Sequence, residues 1–255
     1  MSIDEPSMAP RGGDPQTVAG EKWIRGMVDG KVVVDSRDYL FVWENPYWPW
    51  WFFRPADIRG ELVAPRAAVE GRELPVGAVA HDLVVGDRTF AGVARSYPNH
   101  PTLEGWVALD FESVDHWFEE DVEVFVHPRS PYTRVDALAS SRHVVVSLHG
   151  IELANSRKPT VLFETGISAR FYLPMTDVNL ARLSENDRQS SCPYKGDANF
   201  FDADLDGETV PHIAWTYRRP LPEAAPVAGM ISFYNEIVDI DVDSVRQTRP
   251  VSHFA

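Results

Sequence analysis

Gly30 and Gly150, Ser36 and Ser156, Arg37 and Arg157, and Glu44 and Glu164 form four pairs at one spacing, 120 residues (164 − 44). Ala94 with Ala214 and Tyr97 with Tyr217 extend the series, and WFEEDVEVFV from residue 117 matches FYNEIVDIDV from residue 233. An offset held over about seventy residues marks an internal duplication, so one supersecondary plan is used twice. A chain of 255 residues is long enough for two domains of ordinary size. The expected division is a flexible tail over 1–18, a first domain over 19–126, a strap over 127–139, a second domain over 140–246 and a tail over 247–255. The strap, HPRSPYTRVDALA, holds two prolines and is expected to be extended rather than helical.

Within each copy short apolar alternations are broken by turn residues. KVVVDS, YLFVWE, WWFFRP and VEVFV in the first, and HVVVSLHG, TVLFET, RFYLP, MISFYN and VDIDV in the second, are β-branched and aromatic with a period of two. That pattern predicts antiparallel strands. Asp29-Gly30, His149-Gly150 and Asp206-Gly207 read as hairpin turns. Helical signals are limited to short turns at PADI, MTDVNLARL and PEAAPVAG, the last limited by Pro226. The expected fold class is all-β.

Thirty-eight acidic against twenty-four basic residues leave a formal charge of −14, which repels phosphate backbones and anionic membranes. Neither nucleic acid nor membrane is expected as a partner. Cys192 is the only cysteine, which excludes an intramolecular disulfide and a Cys-rich zinc site and suits a reducing compartment, with cytoplasm the expected location. No Gly-rich phosphate loop, His-x-x-x-His pair or Gly-x-Ser-x-Gly elbow occurs, and no cofactor or metal is expected.

SRKPTVLFETGISARFYLP, SSCPYKGDANFF and HIAWTYRRPLPEAAPVAGMISFYNE together resemble the family catalogued as domain of unknown function number four-twenty-seven, sometimes labelled nucleotidyltransferase-like. With the strap between copies, the chain resembles the tandem members seen in bacteria. The resemblance covers nearly everything after the tail, and Cys-Pro-Tyr-Lys-Gly followed by Ala-Trp-x-Tyr is its most specific element. It implies two homologous tent-like domains of antiparallel sheets with a few short helical turns. It implies no mechanism, and no Gly-Ser with a spaced Asp-x-Asp pair supports the transferase label.

On that pattern the second copy carries Glu164, Arg170, Tyr172, Cys192, Tyr194, Lys195, Trp215, Tyr217 and Tyr234 as candidate ligand-binding residues. Arg170 and Lys195 would hold an anionic or carbonyl group, Glu164 would accept a proton, and the aromatics would wall the pocket. Glu164, Lys195 and Cys192 are the catalytic candidates. The plainer alternatives are a Glu164–Arg170 ion pair that organises the sheet, a solvated turn lysine, and a cysteine that packs as a small hydrophobe. Ser156 and Arg157, like Ser36 and Arg37, read as structural. His212 stands where an amide or small polar residue is expected.

Arg72 occupies the position of Cys192 in the first copy, within the unrelated string VEGRELPVG, so the Cys-Pro-Tyr-Lys-Gly turn is absent there. The first copy instead holds an aromatic cluster, Tyr47, Trp48, Trp50 and Trp51, in NPYWPWWFFRP. It reads either as a cage for a cation or flat ring, or as an interdomain or homo-oligomer face. Strand alternation sends Trp50 and Phe52 to one side and Trp51 and Phe53 to the other, so one pair is expected to meet a partner surface. The function expected is binding of a small polar or aromatic metabolite in the second domain. The alternatives are an enzyme acting on a small carbonyl or amide, and a structural or interaction module built on the first domain.

Overall fold

The computed structural model describes residues 15–66, 69–70 and 73–251, and divides into two units, residues 1–130 and 131–255. The first unit contains β1 (Gln16–Ala19), β2 (Ile24–Val28), β3 (Lys31–Ser36), β4 (Tyr39–Trp43), β5 (Trp50–Phe53), β6 (Glu61–Arg66), β7 (Val79–Val85), β8 (Arg88–Ser96), β9 (Val107–Leu109), β10 (His116–Glu119) and β11 (Val122–Val124). They form a seven-stranded sheet of order β1-β4-β5-β9-β8-β7-β6 and a four-stranded sheet of order β11-β10-β2-β3.

The second unit contains β12 (Val135–Ala139), β13 (Val144–Leu148), β14 (Ile151–Ser156), β15 (Thr160–Glu164), β16 (Ile167–Leu173), β17 (Leu183–Cys192), β18 (Gly196–Leu205), β19 (Glu208–Tyr217), β20 (Ile231–Phe233), β21 (Asp239–Val242) and β22 (Val245–Arg246). Its sheets, β12-β15-β16-β20-β19-β18-β17 and β14-β13-β21-β22, repeat the first unit's order strand for strand. Each unit is all-β, its described strand pairs are antiparallel, and its helices are short 3-10 turns.

Turn chemistry explains the hairpins. Asp29 and Gly30, His149 and Gly150, and Asp206 and Gly207 all have positive φ, between 49° and 99°, the requirement at both central positions of a type I′ turn. The expected short turns are Pro55–Asp57, Met175–Asp177, Leu180–Arg182 and Pro222–Val227. Ser36 and Ser156 are structural in the same way: each hydroxyl donates to an aspartate, Asp57 or Asp177, at 2.6 Å and accepts a backbone N–H two residues on.

Three details differ from the sequence reading. Gln16–Ala19, placed mostly in the tail, pair with β4 as an edge strand, and Val135–Ala139 of the strap pair with β15 in the same role. The chain is recruited there because the outer strand of each large sheet would otherwise leave a row of backbone groups unpaired. The third concerns the match of residue 117 with residue 233. The strand equivalent to Ile231–Phe233 is Val107–Leu109, because Ala108 lies between Phe52 and Arg95 as Ser232 lies between Tyr172 and Trp215. The offset of 120 ends after Tyr97 and Tyr217, where the second unit carries a longer connection that includes Pro222–Val227.

One core lies between the two sheets of each unit. In the first it includes Ile24, Tyr39, Phe41, Trp51, Phe53 and Trp117, and in the second Val146, Leu153, Phe171, Leu173, Ile213 and Phe233. A smaller apolar cluster covers the opposite, outer face of each seven-stranded sheet. Residues of the second-unit cluster, Tyr172, Trp215 and Tyr217, alternate along β16 and β19 with the inter-sheet residues, and this alternation sets up the candidate site. Among the described residues no helix is long and apolar enough to cross a membrane.

Candidate functional site

The outer face of the second unit brings together eight of the nine residues singled out there, and the ninth, Tyr194, is buried in the turn after Cys192. β16 contributes Arg170 and Tyr172, β19 contributes Trp215 and Tyr217, and Tyr234 follows β20. Cys192 ends β17, Tyr194 and Lys195 form the turn into β18, and Glu164 ends β15. Leu221 N–H donates to the Lys195 carbonyl at 3.0 Å, tying that turn to the segment that leads into Pro222–Val227.

At one end Lys195 donates to Glu164, and both side chains are largely buried, 13% and 6% exposed. At the other end Arg170 makes a bidentate pair with Glu236, at 2.6 and 2.7 Å, again buried. The expected Glu164–Arg170 pair does not form; each charge has a different partner. Glu236 is a site residue that the sequence reading missed, although it lies two positions after Tyr234 in the quoted SFYNE.

Between the two pairs the aromatic rings interlock. Trp215 donates its indole N–H to the Tyr172 hydroxyl at 3.0 Å, with rings nearly perpendicular and 6.2 Å apart. Tyr234 packs 4.7 Å from Trp215 and stacks on Phe200, while the Arg170 guanidinium lies 5.7 Å from the Trp215 ring. Ser232, paired in register with both Tyr172 and Trp215, is fully buried beneath them, and its hydroxyl has no hydrogen-bond partner among the described residues. The first unit has Ala108 at that place.

Burial governs the ionisable groups. It pushes the Cys192 thiol up from its ordinary value, and the Lys195 ammonium offsets this only in part. A neutral thiol is a poor nucleophile, so the packing reading of Cys192 is the better supported. Burial also raises the Tyr172 and Tyr217 phenols far above the usual range, with Glu164 and Cys192 adding to the effect, so both stay protonated donors at neutral pH.

The first unit shows what the same face becomes without the Cys-Pro-Tyr-Lys-Gly turn; Arg72 itself lies outside the described residues. Arg and Trp have exchanged strands: Trp50 stands on β5 where Arg170 stands on β16, and Arg95 on β8 where Trp215 stands on β19. Arg95 stacks 4.2 Å over Trp50 and reaches Glu44, with Nε at 2.9 and 3.0 Å from the two carboxylate oxygens, and its Nη1 donates to Asp110 at 3.1 Å. Tyr97 adds its hydroxyl to Glu44. The carboxylate shared by the two copies is therefore saturated by Arg95 and Tyr97 in the first and met by Lys195 in the second. The Tyr217 hydroxyl, equivalent to that of Tyr97, makes no hydrogen bond to any described residue.

The aromatic string of the first unit does not converge as a cage. Trp51 is in the inter-sheet core with Phe53, Trp50 lies under Arg95, Trp48 stacks on His127 at 5.3 Å, and Tyr47 is 44% exposed. The alternation holds, and Phe52 and Trp50 pack with Tyr97, Leu103 and Trp106 of the same unit.

His212 has φ of 55°, and its counterpart in the first unit is Gly92, φ 65°. Each backbone N–H donates to an aspartate one strand away, Asp202 or Asp82, at 2.8 Å, beside a register shift in the β18–β19 or β7–β8 pair. A left-handed bulge position explains why this site has an unexpected residue type. The His212 ring contacts Asn186 at 3.0 Å.

No curated protein matches the chain. One family model matches it twice, over residues 17–120 and 136–244, the two stretches that hold the two copies of the same strand order. The chain belongs to the family described as Domain of unknown function (DUF427), as a tandem two-copy member.

Proposed function

We propose that the second unit binds a small polar or aromatic metabolite at the Glu164–Lys195–Tyr217 end of its outer face. The observation that carries this reading is the contrast between equivalent tyrosines. Tyr97 gives its hydroxyl proton to Glu44, whereas the Tyr217 hydroxyl has no partner among the described residues although its ring is buried. That hydroxyl is not sealed from solvent, so it can donate to the acceptor of a ligand that arrives there. Cys192 and Lys195 are partly exposed, which gives a ligand a way in.

The test is a thermal-shift screen of the full chain against nucleosides, keto acids, amines and aromatic metabolites. A ligand that raises the second unit's transition in the wild type, and fails to do so in Tyr217→Phe, supports the reading. Equal shifts in the two proteins, or none in either, reject it. Tyr217→Phe removes one oxygen from a packed ring and is expected to fold.

A further inference from the structure

The two copies answer one shared carboxylate with two different cations. Glu44 meets a guanidinium, which keeps its proton at any ordinary pH. Glu164 meets an amine, which can pass its proton along the hydrogen bond that joins them. The chain has four lysines against twenty arginines, so the amine is the rarer choice in this composition. Around the pair stand Tyr217, a neutral phenol with no partner among the described residues, the neutral Cys192 thiol, and the buried ring of Tyr172.

We infer that Lys195 is an imine-forming lysine whose ligand is a small aldehyde or ketone. This rests on the binding reading above and adds the chemistry. Glu164 takes a proton from the ammonium, and the free amine adds to the carbonyl carbon while Tyr217 donates a hydrogen bond to the carbonyl oxygen. The amine proton moves to that oxygen, giving a carbinolamine. Glu164 then returns its proton to the new hydroxyl, the C–O bond breaks and water leaves. The product is a protonated imine beside the Glu164 carboxylate. In sum an ammonium and a carbonyl give an iminium and water, with no change in oxidation state.

The experiment uses the full chain with glyoxylate and, separately, benzaldehyde, in the presence of cyanoborohydride to reduce any imine to a stable amine, followed by peptide mass mapping. Lys31 and Lys158 are exposed and serve as internal references. The expected result is labelling of Lys195 at least about tenfold faster than of either reference, slowed about tenfold or more in Glu164→Gln and Tyr217→Phe. Lys195→Arg, which keeps a cation beside Glu164, is expected to remove the adduct. Labelling of Lys195 no faster than of Lys31 and Lys158 overturns the inference. If a thermal shift sensitive to Tyr217 persists in that case, binding stands and imine chemistry alone falls. An unchanged rate in Glu164→Gln also overturns it, since a merely accessible lysine needs no carboxylate.

Discussion

Arg95→Met isolates the energetics of the saturated face. Arg95 and Glu44 are 3% and 5% exposed, and Glu44 accepts from Arg95 through Nε and Nη2 and from the Tyr97 hydroxyl. Methionine approximates the volume of the arginine stem but leaves the carboxylate with Tyr97 alone. Breaking one side of a buried pair costs about 3–5 kcal/mol, because an uncompensated charge stays behind. Loss of the cation over Trp50 adds about 0.5–2 kcal/mol. For a unit of this size about 1 kcal/mol corresponds to roughly 3–6 °C, so the first-unit transition in differential scanning calorimetry is expected to fall by at least about 10 °C and by up to about 40 °C. Glu44→Met/Arg95→Met, which removes both charges, is expected to recover most of the loss. Arg218→Met, at an exposed pair with Glu185, is expected to cost under about 1 kcal/mol. A single variant that loses under about 1 kcal/mol, or a double variant as unstable as the single, would refute this reasoning.

Three further outcomes are expected. Burial lifts the Tyr39 phenol from its ordinary value of 10.0 to about 12, so its contribution is complete below pH 10 and is lost as pH rises toward 12, at about 1.4 kcal/mol per pH unit. Alkaline melts should show that loss in the first unit of the wild type and a smaller one in Tyr39→Phe. Gly92→Ala places a Cβ 2.9 Å from Val69 at positive φ and should cost about 2 kcal/mol, whereas His212→Gly should stay within about 0.5 kcal/mol of wild type, strain relief being offset by chain entropy; denaturant melts that rank the two the other way would count against the bulge assignment. The Cys192 thiol should react with iodoacetamide at pH 8 more slowly than a peptide thiol, and a faster rate would reinstate it as a nucleophile.

Much of this architecture was legible along the chain. Period-two alternation and paired positive-φ turns are local properties, so KVVVDS, TVLFET and the Asp-Gly hairpins announced their strands and turns. The nine candidate residues of the second copy could be named together because that copy carries the pattern of the family it resembles. The edge strands Gln16–Ala19 and Val135–Ala139 were less visible, because their apolar signal is weak and a neighbour's unpaired backbone recruits them.

Charge partners were beyond the reach of pattern. Lys195 and Glu164 are 31 residues apart, and Arg170 and Glu236 are 66 apart; nothing in either spacing predicts a bond. Which carboxylate a cation meets depends on side-chain reach across strands that are distant in sequence. The saturation of Glu44 by Arg95, the freedom of the Tyr217 hydroxyl from any described partner and the left-handed His212 follow from that same geometry. Duplication and strand content were therefore written in local chemistry, while the pairing of the buried charges came from strands meeting in space.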